Sequence, residues 1–145
     1  MDELTLEPYA IEQNWYFPEV KYQWEDILSD YLLTIAKKST ASGMGVVGHI
    51  KALVLFSDEQ YFMASVIAPH IPASTKGQFP NGCTKFLLTL NILVYGVKRN
   101  RLEEISQETA AEFSTRLNGE IISRKLSRIN EGEHLKNHTK ENNND

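Results

Sequence analysis

Residues 84–97 read TKFLLTLNILVYGV, the longest nearly unbroken apolar run in the chain, and the reading of this stretch decides the fold. It falls short of the roughly 20 apolar residues that a membrane span needs. Its length and its Leu, Ile, Val and Tyr content predict a central β-strand. Alternate residues of a strand point to opposite faces. Phe86, Leu88, Leu90, Ile92 and Val94 therefore share one side, and Lys85, Leu87, Thr89, Asn91, Leu93 and Tyr95 share the other. The first side has the character of a core, whereas the second mixes polar residues among leucines.

Working outward, residues 46–57 and 61–69 are rich in β-branched, aromatic and small apolar residues, with Asp58-Glu59-Gln60 between them. This pattern predicts a β-hairpin. With those three residues as the loop, Phe56 pairs with Phe62, Val54 with Ala64, Ala52 with Val66 and Ile50 with Ala68, which gives one apolar face. The opposite face then carries His49, Lys51, Leu53 and Leu55 beside Tyr61, Met63, Ser65 and Ile67. Residues 70–82, HIPASTKGQFPNG, hold the turn formers Pro72, Gly77, Pro80 and Asn81-Gly82 and predict a long loop. Within it Ser74, Thr75 and Lys76 precede Gly77 and offer two hydroxyls and an ammonium to an anion. The spacing and following helix of a P-loop are missing.

Two helices flank this β-rich centre. Pro18 suits a first helical position, and Trp24, Ile27, Leu28, Tyr31, Leu32 and Ile35 follow at helical spacing. Lys37 and Lys38 suit the negative C-terminal end of that helix. Gly43, Gly45 and Gly48 then satisfy G-x-G-x-x-G in form, but a helix precedes them and a strand follows. The dinucleotide fingerprint needs the reverse order, so the glycines predict a helix-to-strand connection. After Lys98-Arg99-Asn100-Arg101, the residues Leu102, Ile105, Thr109, Phe113, Leu117 and Ile121 predict a second helix. Glu103 and Glu104 lie near its start and Arg124 and Lys125 near its end. Glu112, Arg116, Glu120 and Arg124 read as a solvated i, i+4 ladder on it.

The fold class predicted is α+β: an antiparallel sheet of about three to four strands with two amphipathic helices on one face, in the order α-β-β-loop-β-α. Residues 1–20 read as an aromatic N-terminal arm, with Tyr9, Trp15, Tyr16 and Phe17 lying against the fold or reaching a second copy. Residues 21–127 form the single domain, and residues 128–145 a polar tail too hydrophilic to bury a core. The helix, the glycine-rich exit and the hairpin are similar to the opening of roadblock-type dimerisation domains. The helix those domains place next is replaced here by the 70–82 loop, and no residue role is carried over.

Composition narrows the function classes. The chain has 145 residues and a formal net charge of −4, a size for one domain and a charge that disfavours nucleic acid or an anionic membrane as the main partner. The acidic N-terminus lacks the basic start of a signal peptide. A single cysteine, Cys83, excludes an intramolecular disulfide and fits a reducing, cytoplasmic setting. His134 and His138 are a close pair in the polar tail, but two ligands alone do not fix a metal ion. No catalytic residue, metal or cofactor is predicted.

What remains is the mixed second face of the sheet. Two helices cover only one face, so a second copy, another protein, a ligand or the chain's own aromatic N-terminal arm must cover the other. Self-assembly, as a dimer, or binding of a protein partner through Leu53, Leu55, Met63, Leu87, Leu93 and Tyr95 is the function predicted. The alternative is a small-molecule or anion-binding protein, or an enzyme, using His49, Lys51, Thr89 and Asn91 with Ser74, Thr75 and Lys76 of the 70–82 loop as a lid. Nucleic-acid and membrane partners are not expected.

Overall fold

The computed structural model describes residues 8–19 and 23–125. Its strands form a six-stranded antiparallel sheet, and two helices pack on one face of it. The strands are β1 (Tyr9–Tyr16), β2 (Val46–Leu55), β3 (Tyr61–Val66), β4 (Ser74–Gly77), β5 (Lys85–Tyr95) and β6 (Glu120–Lys125), and the helices are α1 (Trp24–Thr40) and α2 (Arg99–Leu117). Across the sheet the strands run β4-β3-β2-β5-β1-β6. The stretch that decides the fold is thus β5, hydrogen-bonded on both sides by β2 and β1. The α+β class and the antiparallel sheet hold, and the strand count is larger than the sequence predicts.

Each additional strand has a local cause. The alternation Tyr9, Ile11, Trp15 and Phe17 places the apolar side chains of β1 toward the helices, where all four are buried. Gln13 interrupts that alternation, yet it too is fully buried. Its amide donates to the Tyr31 hydroxyl at 2.9 Å and to Ser123 Oγ at 3.1 Å, and its carbonyl accepts from Trp15 Nε1 at 3.1 Å. Burial is tolerated because these bonds replace water. The phenol of Tyr31 is correspondingly pushed well up by burial, an effect the Gln13 bond partly opposes.

The predicted loop over 70–82 contains β4 instead. Ser65 pairs with Ser74, Ala64 with Thr75, Met63 with Lys76 and Phe62 with Gly77. The open edge of β3 offers unpaired backbone groups, and a short polar segment satisfies them. Beyond it Phe79 drops into the core against Trp24, Phe56, Phe62 and Phe86, and its N–H donates to Glu25 at 3.0 Å. The segment is pinned to the sheet edge, so it does not lie over the second face as a lid.

Both helix boundaries move. Phe17 is buried and its N–H donates to the Thr84 carbonyl at 2.7 Å, which ties the chain to the start of β5. Pro18 therefore cannot open the helix, and α1 starts at Trp24. At the other end Asn118 takes a left-handed conformation with φ of 58°, and the Gly119 N–H bonds to Ser114 O at 3.0 Å. This cap ends α2 at Leu117. Ile121, Arg124 and Lys125 lie in β6, so the expected ladder does not form. Instead Glu112 pairs with Lys38 at 2.9 Å and Arg116 with Asp30 at 3.1 Å, joining the two helices, while Arg124 pairs with Glu12 at 2.7 Å across the strands.

The hairpin register is also displaced. Val54 pairs with Phe62, Ala52 with Ala64 and Ile50 with Val66, a shift of two residues along β3 from the predicted pairing. A connection of five residues replaces the three-residue loop, closed by Phe56 and Ser57 N–H bonds to Gln60 O. Because side chains alternate with a period of two, an even shift keeps each residue on its predicted face. No helix among the described residues is long and apolar enough to cross a membrane. The polar tail at 128–145, with His134 and His138, lies outside the described residues.

Candidate functional site

The helices leave the second face of the sheet open, and the pairing fixes which side chains meet there. One rung across the sheet runs Ser74, Ser65, Lys51, Asn91 and Ala10. The next runs Lys76, Met63, Leu53, Thr89, Glu12 and Arg124. Beyond these, Leu55 pairs with Tyr61, Asn14 with both Leu87 and Ile122, and Tyr16 with both Lys85 and Glu120. On the other side of the polar rung His49 pairs with Leu93 and Val46 with Tyr95. The open face is therefore a polar band between two apolar ends.

The apolar ends are exposed. Leu55 is 67% exposed, Leu87 42% and Ile122 60%, with Tyr16 and Tyr61 beside them. Val46 and Tyr95 are exposed at the opposite end. Single exposed leucines are ordinary, but several on one face are the mark of an interaction surface. All the interface candidates, Leu53, Leu55, Met63, Leu87, Leu93 and Tyr95, fall on this face, and Leu53, Met63 and Leu93 are half-buried by their neighbours.

The ligand candidates are only partly brought together. His49, Lys51, Thr89 and Asn91 share the open face, and Lys51 lies directly opposite Asn91. Ser74 and Lys76 are on the same face but two strands beyond β2, about 10 Å away at ordinary strand spacing. Thr75 pairs with Ala64, which is buried on the helix side, so its side chain belongs to the other face. No side-chain hydrogen bond joins His49, Lys51, Thr89 and Asn91 to one another. Partial burial first, and Lys51 second, lower the pKa of His49 and so favour its neutral form. Gly48 lets this end pack closely: a Cβ there would stand 3.0 Å from the Tyr95 ring, and the register shifts between Val47 and His49.

Charge is distributed unevenly. Among the described residues the open face carries Lys51, Lys76, Lys85 and Arg124 against Glu12 and Glu120, four cations to two carboxylates, in a chain whose net charge is −4. Arg124 is taken by Glu12. Among the described residues no carboxylate pairs with Lys51, Lys76 or Lys85, whereas Lys38 and Arg101 in the helix layer are neutralised by Glu104, Glu108 and Glu112. Over the paired ends of β1 and β5 lies an open depression of about 520 Å³ lined by Asn14, Trp15, Tyr16, Lys85, Phe86 and Leu87. It sets one unpaired ammonium beside an exposed leucine and a tyrosine.

Sequence reasoning missed the part of this surface that β1 and β6 supply, namely Glu12, Asn14, Tyr16, Ile122 and Arg124. The available signals were the alternation after Pro8 and the Asn118-Gly119 pair, a helix stop followed by EIISRK. Cys83 is half-buried; burial pushes its thiol up, a backbone hydrogen bond of Lys85 partly opposes the rise, and the S–H donates to the Lys85 carbonyl at 3.3 Å. A thiol held in its neutral form is a poor nucleophile. The chain matches no family model, no curated protein and no solved structure.

Proposed function

We propose that this protein is an association module whose binding surface is the open face of its sheet. The observation that supports the reading is the cluster of exposed apolar side chains, Leu55, Tyr61, Leu87, Tyr16 and Ile122, on a sheet face that no element of the described chain covers. Burying such surface is favourable by about 25 cal/mol per Å², and the flanking lysines and hydroxyls supply the polar rim common at protein interfaces. A photo-crosslinking residue placed at position 55 or 87 should trap a protein adduct in extracts of cells that make this chain. The same residue at Gln107 or Ala111, exposed on α2, should trap none. Equal labelling from both layers, or labelling from α2 alone, would overturn the reading.

A further inference from the structure

The association reading leaves open what kind of surface sits on the sheet, and the charge pattern decides between the candidates. We infer that the occupant is an acidic protein segment that combines large apolar side chains with carboxylates, not a second copy of this chain. The inference rests on the association reading and adds the chemistry of the partner. A two-fold interface brings the same patch of both copies together. Here it would gather Lys51, Lys76 and Lys85 from each protomer against carboxylates of which Glu12 is already engaged with Arg124. Like charges brought into one desolvated interface oppose association. Carboxylates of a different chain meet the same lysines with the opposite sign.

The geometry gives this segment two points of purchase. An apolar side chain rests in the depression over the paired ends of β1 and β5, against Leu87 and Tyr16, and a neighbouring carboxylate reaches Lys85 at its rim. A second apolar contact falls on Leu55 and Tyr61, with Lys76 and Lys51 on the rungs beside them. Single-stranded nucleic acid would satisfy the lysines as well. It binds by stacking successive bases on aromatic rings, and here the exposed tyrosines, Tyr16, Tyr61 and Tyr95, lie on three different strands, each paired with a non-aromatic residue.

The test uses the full chain and labelled synthetic peptides of roughly ten residues, long enough when extended to cross the sheet. One peptide alternates Glu with Leu and Phe, a second replaces Glu by Lys, a third replaces it by Ser, and an oligothymidylate of similar length is the fourth probe. Fluorescence anisotropy at low and high salt measures affinity, and amide chemical shifts locate the contact. The acidic peptide should bind about tenfold more tightly than the basic one, weaken with salt, and shift residues of β1, β2 and β5. Lys85→Glu should weaken acidic-peptide binding about tenfold and favour the basic peptide, Leu87→Asp should remove binding of the acidic peptide, and Lys37→Glu on α1 should change nothing. A preference for the basic peptide, equal binding of all three peptides, or tighter binding of the oligothymidylate would overturn the inference. Self-association through this face that persists in Lys85→Glu and at high salt would overturn it too, while leaving the association reading intact. Absence of crosslinks from positions 55 and 87 would remove both.

Discussion

Leu87 and Leu88 are neighbours in one strand, and they live in different environments. Leu88 is fully buried beneath the helices, and Leu87 is 42% exposed on the open face. The same contrast runs along β2, where Val54 is buried and Leu55 is not. The sheet thus turns one face into a core and the other into a surface, with leucine present on both. Being a leucine did not separate Leu87 from Leu88. What separates them is whether a helix lies above.

The comparison breaks most visibly under truncation of the two leucines. Leu88→Ala should lower stability by about 2–5 kcal/mol, because a fully buried leucine leaves a cavity. Leu87→Ala should change it by less than about 0.5 kcal/mol. Denaturant unfolding of the two variants measures both, and equal losses would show that the open face is packed as tightly as the core.

Gln13 sharpens the contrast from the buried side. Gln13→Leu strands the Trp15 and Tyr31 donors, each at about 1–3 kcal/mol. Adding Tyr31→Phe should recover part of that loss, since it removes one stranded hydroxyl. A double variant no more stable than Gln13→Leu alone would show that the network does not act through that bond. Gly119→Ala should cost about 1–3 kcal/mol by overpacking, because a Cβ there runs into the Phe17 ring beneath α2. An unchanged melting temperature would mean that Phe17 yields.

The smallest effect belongs to the open face. His49 has its pKa lowered in the folded state, so the unfolded chain binds the proton more readily. Its contribution is present above the unfolded value of about 6.5 and is lost as pH falls toward the folded value. His49→Gln should therefore flatten a slight decline in stability below pH 6.5, seen in melts across that range. An identical pH profile in the variant would show that His49 is as well solvated folded as unfolded.

Much of this was legible residue by residue. The division of β5 into Phe86, Leu88, Leu90, Ile92 and Val94 against Leu87, Thr89, Asn91 and Leu93 follows from period two, and the structure keeps it. The hairpin faces survived a register shift because the shift was even. The edges were not legible. Ser74–Gly77 is too short and too polar to announce itself as a strand, and it forms one because β3 offers an open edge. Residues 120–125 continue the helical spacing of α2 on paper, and only the Asn118 cap turns them back beside β1. For the candidate site, the sequence put Lys51 and Asn91 on one face, while the pairing of β2 with β5 made them neighbours and sent Thr75 to the other side.

By itself the sequence determined what each residue does locally: which positions alternate, where a helix stripe runs, and which side of each central strand is fit for a core. Those properties come from the fixed periods of backbone geometry, 2.0 for strands and 3.6 for helices. The tertiary structure alone decided which strands are neighbours, and therefore that Glu12 meets Arg124 while, among the described residues, Lys51, Lys76 and Lys85 meet no carboxylate. Such pairings join residues far apart in the chain, and no local period encodes them. The open face owes its alternation to the first and its uncompensated charge to the second.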